Sequence, residues 1–571
     1  MGIKQITKKL SVVSVLAMAS VGCDSGFDAS RTVKQSPLNQ ASLGLAVQVD
    51  SRQEIDQLML SEPNAKVRTI NANHGLYEIY NVPKSVVEKY LGESEISENQ
   101  LVEPLQPLSQ PDVSQLAMLN SDQNGNQFQP CRPSRQKPSA KISQLSPSST
   151  SPIVELGTDI SLSSAGSANH RSVAGDLKVG WIIETPKGSN ITQTQSFGKD
   201  LVLTPDSIGL YQVLLLVQDD NDSCHVTAKH YVVTANEPLK SGVTPLAAAD
   251  VSEADLYHIE QVSAPLAWNQ SQGEGVVIAI IDSGVNYNHP ALHQNIAINE
   301  GEIPNNGLDD DHNGYVDDVV GYDFNNSDSY PFDDNGHGTH VAGLAASPVL
   351  GIAPKAKILP IKVLNALGGD QASLAGAIYY AVDRKVDVIN LSLGNYGQPH
   401  SFVMRAIRYA QSSGVTVVAA AGNGHPYTGQ SINTDQMPNY PSALPYDNII
   451  AVAASSKTKF ITSYSNYGKV SVDISAPGGD EDNPLVSAAM ANPQGLLLEA
   501  MSGTSMASPV VAGAVALVKS ARPDLSPSQI KSLLMKTGDT QTQLQDLTVS
   551  GKELNVQRAL SELADQRQNI L

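Results

Sequence analysis

Apolar and polar positions follow three different rhythms along the chain. From Leu45 to about Pro104, short apolar runs alternate with helical spacing. Leu45 to Val49 reads as a strand, Ser51 to Leu60 as a helix, Lys66 to Val82 as strands, Lys84 to Leu91 as a helix, and Gln100 to Val102 as a last strand. Ser51, Pro83 and Lys84 stand where helix starts are favoured. From Ala140 to Thr234 the runs are short and alternating, among them Thr158 to Leu162, Val179 to Ile183 and Tyr211 to Val217, with turn residues between them. Beyond residue 255, continuous apolar runs such as Gly275 to Ile281 and Val415 to Val418 alternate with helical stretches, the appearance of parallel strands buried on both faces.

These rhythms predict a multidomain chain. A small α+β domain covers 40–105 and a linker rich in Pro, Gln, Ser and Asn covers 106–139. An all-β sandwich follows over 140–235, a second linker over 236–254, and a three-layer α/β domain with a mostly parallel sheet over 255–562. Length agrees, because 571 residues exceed the roughly 250 to 300 that one core holds.

Composition narrows the partners. A formal net charge of −20 argues against a nucleic-acid partner, which needs clustered Lys and Arg to neutralise phosphates. Residues 1–23 carry an early basic stretch and then an apolar and small run from Leu10 to Val21, the layout of an export signal. Two exits fit it: ordinary cleavage after the Ala17-x-Ala19 site, or lipidation of Cys23 in a Ser-Val-Gly-Cys string resembling a bacterial lipobox. Such an anchor is the membrane contact expected, since no other run approaches the ~18 apolar residues a spanning helix needs. Lipidation of Cys23 would leave Cys131 and Cys224 as an even pair for a disulfide. All three cysteines precede residue 225, so the last domain has no thiol and cannot house a cysteine nucleophile.

Three motifs in that domain carry chemistry. Gly275 to Gly284 is an apolar strand with Asp282 at its C-terminal end, where α/β sheets collect ligands and reactive groups. Asn335-Gly-His337-Gly-Thr-His340 sets a histidine between glycines at the start of a small-residue helix. His340 with His337 has the spacing of a metal pair, but the H-E-x-x-H glutamate is missing. Gly503-Thr-Ser505-Met-Ala-Ser-Pro509 puts a serine hydroxyl at a helix start, beside unpaired backbone N–H groups that favour negative charge. Separately, Asp309-Asp-Asp311-His-Asn313-Gly-Tyr315-Val-Asp317-Asp318 has oxygen ligands at alternate positions and a glycine at the turn, like the first part of an EF-hand loop. Structural Ca2+ is expected there. Val320 stands where that loop ends in Glu, so Asp318 or water must complete the shell.

Taken together, the Asp, His and Ser motifs resemble the subtilase (peptidase S8) family of serine proteases. The resemblance implies a secreted or surface-anchored endopeptidase acting on proteins or peptides, monomeric, with no cofactor needed for the chemistry. It makes Asp282, His337 and Ser505 the triad, and Asn423 in Ala-Ala-Ala-Gly-Asn-Gly the oxyanion donor. Ser392, Leu393 and Gly394, with Ala420, Ala421 and Gly422, would line the substrate cleft, a peptide adding as a strand. The 40–105 domain resembles the inhibitor propeptide of such enzymes, and the sandwich resembles polycystic-kidney-disease or immunoglobulin-like modules. Two departures stand out: Ala291 replaces a calcium-binding Asp of many members, and Gly478 to Glu499 is a longer insertion that covers the cleft or is a plain surface loop. Asp333-Asp334 either favours a basic substrate side chain or is a solvated face.

Overall fold

The computed structural model describes residues 45–102 and 138–568 apart from short interruptions, the longest at 169–176 and 491–496. The expected leader with Cys23, most of the first linker and Cys131 lie outside the described residues.

The strand Val277–Asp282 shows why the C-terminal half is layered. Successive strand side chains point to opposite faces, so Ile278 and Ile280 enter one apolar core while Ala279 and Ile281 enter another. Nine strands make the sheet, in the order 322–323, 357–362, 277–282, 388–391, 416–420, 449–455, 474–477, 552–553, 539–540. Every neighbouring pair is parallel except the last. Helices His337–Ala346 and Thr504–Ala521 cover one face and pack on each other. Helices Gln371–Asp383 and Ser401–Ser412 cover the other, burying Ile378, Phe402 and Ile407. The three-layer expectation therefore holds for this half.

Ahead of it, four strands order as 66–71, 76–80, 45–48, 95–98, and helix Arg52–Ser61 buries Ile55 and Leu58. The stretch from Lys66 to Val82 is two strands around a tight turn. Gly75 closes that turn at φ +64°, where any side chain would meet the Val49 carbonyl oxygen at 1.9 Å. Ala46, Ile70 and Leu76 of this small unit share an apolar cluster with Ile281, Tyr379 and Phe402 of the large one. Arg68 ties the two together, donating to Glu78 and, at 3.2 Å each, to Asp370 and Ser373. Leu101–Val102 then pairs antiparallel with Gly368–Asp370 at the edge of the α/β domain.

Between these lies a pair of antiparallel-rich sheets of five and three strands whose shared core holds Trp181, Tyr211, Val213, Leu215 and Tyr231. Cys224, on the Cys224–Thr234 strand, is disulfide-bonded. The stretch expected as a second free linker is instead fastened to the α/β domain. Asn288 Nδ2 donates to the Pro238 carbonyl at 3.0 Å, the Lys240 amide to Asn288 Oδ1 at 2.8 Å, and the Leu246 amide to the Pro290 carbonyl at 3.1 Å.

Candidate active site

Asp282 ends its strand fully buried, and His337 opens its helix 55 residues later. Gly336 provides the left-handed backbone (φ +100°) from which that helix starts. His337 Nδ1 stands 2.8 Å from Asp282 Oδ1. The helix can come this close because residue 338 is glycine: a side chain there would reach the Gly284 carbonyl oxygen at 2.0 Å and crowd the Asp282 side chain. Burial by itself would lower the His337 pKa, but the Asp282 carboxylate outweighs it and holds the imidazole above its ordinary value. Nδ1 is thus committed to Asp282, which leaves Nε2 as the ring nitrogen able to accept a proton.

The carboxylates beside His337 are buried and held by internal partners, contrary to both expectations for Asp333 and Asp334, a substrate-facing pair or a solvated face. Asp333 is fully buried and accepts from the Ser283 hydroxyl at 2.9 Å, the Gly336 amide at 2.9 Å and the Thr339 amide at 2.9 Å. It fixes the turn that presents His337. Asp334 pairs with the buried Lys362 ammonium at 3.0 Å. Lys362 also donates to the Ser283 carbonyl at 2.6 Å and the Leu364 carbonyl at 2.8 Å, just beyond the end of the Asp282 strand. Burial pushes the Asp334 carboxyl up to about 6 against the pull of Lys362. Sequence reasoning missed Lys362, whose one visible sign was a lysine at the end of an apolar strand, Lys357–Lys362.

Ser505 sits in the first turn of helix Thr504–Ala521, reached through Gly503. Its hydroxyl donates to the Ser392 carbonyl at 3.2 Å, and the described hydrogen bonds include none between it and His337. Such bonds are commonly loose before substrate enters, and a χ1 rotation redirects the hydroxyl. The Asn423 side chain is oriented by its oxygen, which accepts from the Thr504 amide and hydroxyl at 2.8 Å each. Its NH2 group is thereby turned away from Thr504, beside Gly503. The Ser392 hydroxyl donates to the Ser505 carbonyl at 2.7 Å, stitching the Ser392–Gly394 segment to the serine helix.

Of the expected cleft residues, Leu393 puts its side chain in the apolar core, and Ala421 packs with Ala453 and Val472. Both side chains are therefore turned into the fold. Ala420 is also buried, Ser392 is turned inward, and Gly394 and Gly422 are half-buried. His340 does not pair with His337 as a metal site: its Nε2 lies 3.1 Å from the Leu485 carbonyl and 3.2 Å from that of Glu499. Burial drives its pKa down to about 3.

The acidic loop is rearranged relative to expectation. Asp309 accepts from the Asn313 and Gly314 amides, as the first residue of such a loop should. Asp318, however, is fully buried and occupied by Tyr380 at 2.5 Å, Arg384 at 2.7 Å and Asn299 at 2.8 Å, and Asp317 is taken by the amides of Asn306 and Gly307. Tyr315 turns its ring inward, and Asn313 donates to Asp311 and Asp318. Glu302, unseen in the sequence pattern because it lies upstream, joins Asp309 and Asp311 with one oxygen from each within 4.8 Å of the others. Ala291, a departure in sequence, is buried and apolar in surroundings.

Residues 273–556 match the subtilase family, Peptidase S8. Thermitase of Thermoactinomyces vulgaris is 38% identical over 290 residues, which is 50% of this chain and 88% of that protein. Subtilisin DY of Bacillus licheniformis is 36% identical over 296 residues, 50% of this chain and 92% of that one. An extracellular protease of Xanthomonas campestris is 35% identical over 300 residues, 48% of each. Among solved structures, a protease from Pseudoalteromonas arctica has 28% identity and a TM-score of 0.44, covering 54% of this chain and 97% of its own. The chain belongs to the subtilase family, and it is a serine-type endopeptidase that hydrolyses peptide bonds.

Proposed function

We propose that this endopeptidase works through Asp282, His337 and Ser505, with Asn423 as oxyanion donor, and that it is made as an exported zymogen. The observation that carries the first part is the 2.8 Å bond from Asp282 to His337 Nδ1. In this reading His337 Nε2 takes the Ser505 hydroxyl proton as Oγ attacks the scissile carbonyl, and returns it to the leaving amine. Asp282 fixes the tautomer and balances the imidazolium that forms. The Asn423 amide and the Ser505 backbone N–H meet the oxyanion; for subtilisin's equivalent Asn the general figure is about 2.7–4 kcal/mol on removal. The acyl part of a protein or peptide substrate adds as a strand to Gly368–Asp370 and to the backbone at Ser392 to Gly394.

The small N-terminal unit acts as the inhibitory propeptide. Its support is the Leu101–Val102 strand lying on Gly368–Asp370, the edge a substrate would need. The two-sheet unit is a PKD or immunoglobulin-like module that spaces or docks the enzyme. We assign Cys131 as the partner of Cys224, and the leader to an extracellular, periplasmic or lipid-anchored fate through Cys23. Structural Ca2+ suits Glu302, Asp309 and Asp311, whose hard carboxylate oxygens already converge. It would hold the loop and supply no step of the chemistry.

The test is hydrolysis of casein by the purified full chain beside its Ser505→Ala variant, with and without phenylmethylsulfonyl fluoride. Activity abolished by both the substitution and the inhibitor is expected. Hydrolysis unchanged in the variant would overturn the assignment of the nucleophile.

A further inference from the structure

The parallel strands Val388–Leu391 and Thr416–Ala420 end side by side, Leu391 beside Ala419. Their chains run on through Ser392 to Gly394 and through Ala421 and Gly422, and a crevice opens where such strand ends part. Both continuations reach the reacting serine. The Ser505 hydroxyl donates to the Ser392 carbonyl, and Asn423, next after Gly422, accepts from the Thr504 amide and hydroxyl. Gly394 and Gly422 are half-buried and carry no side chain into the space between them. One residue bridges the two. A side chain at Gly394 would overlap Asn439 Oδ1, and one at Gly422 would begin 3.3 Å from Asn439 Nδ2 and 3.1 Å from the Tyr396 hydroxyl.

The backbone of Asn439 is fully engaged. It pairs with Tyr396 in the short antiparallel ladder of Asn395–Tyr396 and Asn439–Tyr440, and its carbonyl accepts from the Ala443 amide at 2.8 Å and the Ser442 hydroxyl at 3.0 Å. Its side chain is not. Asn439 is 4% exposed, yet its Oδ1 has no hydrogen-bond partner among the described residues. Buried amide oxygens are nearly always paired, because leaving one unpaired forfeits its hydration with nothing in return. The neighbouring Asn466 shows the contrast: also buried, it accepts from the Gly424 and Ile432 amides and donates to the Ala421 carbonyl and the Tyr396 hydroxyl. The orphaned oxygen of Asn439 is therefore an acceptor that a donor arriving from outside can satisfy.

The reaction determines which part of a substrate arrives. In the triad reading, on which this inference rests, the attacked carbonyl lies between Ser505 and Asn423. The residue that owns that carbonyl is flanked by Ser392 to Gly394 on one side and Ala420 to Gly422 on the other, and its side chain enters the gap the two glycines leave. The described side chains nearest those glycines are neutral: the amides of Asn439 and Asn466 and the Tyr396 hydroxyl. A cation entering among them would be desolvated without a countercharge from any of the three. We infer that Asn439 sets the preference for the residue whose carbonyl is attacked, offering Oδ1 to a neutral side chain that carries a hydrogen-bond donor, such as the amide of glutamine.

Two peptide p-nitroanilides that differ only in glutamine against methionine at that position test this in the full-length enzyme, since the two side chains match in length and differ in the donor. The ratio of their kcat/KM values is read within each variant, so a general loss of activity cancels. The wild type should favour glutamine. Asn439→Leu, which keeps the side-chain shape and removes both polar atoms, should lower the glutamine-to-methionine ratio roughly tenfold, the worth of one neutral hydrogen bond. Asn439→Asp, which keeps an acceptor and adds a charge, should raise kcat/KM for the corresponding lysine substrate relative to methionine. A wild type that favours methionine, an identical glutamine-to-methionine ratio in the wild type and Asn439→Leu, or no gain on lysine in Asn439→Asp would overturn the inference. Failure of the wild type to release p-nitroaniline from any of the three, when shown to be folded and freed of its N-terminal unit, would instead overturn the triad reading and the inference with it.

Discussion

Replacing Lys362 by methionine removes the cation beneath the active site while keeping most of the side-chain volume. The Lys362 and Asp334 side chains are each 1% exposed, and the ammonium serves Asp334, Ser283 and Leu364 at once. Breaking such a pair from one side leaves an uncompensated buried charge, which costs about 3–5 kcal/mol. The loss depends on pH because Asp334 can escape it by taking up a proton. A carboxyl whose folded pKa is raised contributes stability that is fully present below its unfolded pKa and is lost as pH rises through the folded one. Asp334 already stands at about 6 with its partner in place, and Asp323, also facing Lys362, at about 8. Without the ammonium both move higher, so the variant should lose least at about pH 5 and most at about pH 8.

Calorimetry in a Ser505→Ala background, which prevents autolysis, measures this directly. At about pH 8 the Lys362→Met variant should melt roughly 6–20 °C lower, using about 2–4 °C per kcal/mol for a domain of this size. Lys355→Met provides the contrast, since the Lys355 and Glu274 side chains are 53% and 52% exposed and such pairs contribute little. Combining Lys362→Met with Asp334→Asn should recover part of the loss, because no charge is then stranded. A shift in Lys362→Met no larger than in Lys355→Met, or the same at both pH values, would refute the argument that the pair anchors the Asp282 strand end to the His337 turn.

Two further outcomes are expected. The acid limb of the kcat/KM profile should be centred above 6.5, because the Asp282 carboxylate outweighs burial at His337 and activity requires the neutral imidazole; a limb centred below 6.5 contradicts that balance. Arg68→Ala in the full chain should shorten the lag before proteolytic activity appears, since Arg68 joins the N-terminal unit to Asp370 and Ser373 and its loss removes the cation beside the buried Glu78 carboxylate. An unchanged lag would mean that the apolar contacts of Ala46, Ile70 and Leu76 suffice.

How much of this could be read beforehand depended on whether the information was local. The motifs around Asp282, His337, Ser505 and Asn423 are legible because each packs its constraint into a few neighbouring residues: an apolar strand ending in a carboxylate, glycines at a turn, a small-residue helix start. Gly338 illustrates this, since its missing side chain is what lets the His337 helix approach Asp282. The three-layer sheet was legible for the same reason, because strands such as Val277–Asp282 must be apolar on both faces. Asp333 and Asp334 were not legible. Adjacent acids usually mark a solvated surface, and only the arrival of Ser283 and Lys362 from distant segments makes burial tolerable. Glu302 escaped the metal-loop pattern because ligand spacing was sought within the loop, while the chain supplies a carboxylate from upstream.

The insertion is the sharpest case, and its physics explains why sequence could not place it. A stretch of Ala, Ser, Leu and Met has no strong helical or strand rhythm of its own, and a two-stranded hairpin in isolation is at best marginally stable. Its order comes from outside, from His289 and His340, two imidazoles whose burial keeps them neutral and therefore able to donate to backbone carbonyls. In the sequence His340 has only the spacing of a metal partner, following His337 by three residues without the glutamate of a zinc motif. In the fold, the helix turns those two rings to different partners: one toward the Asp282 carboxylate, the other toward the Leu485 and Glu499 carbonyls of the hairpin formed by Leu485–Ala488 and Leu498–Met501. The motif that presents His337 thus also carries the anchor for the element placed beside it, which is why the insertion lies against the His337 helix rather than at a free surface.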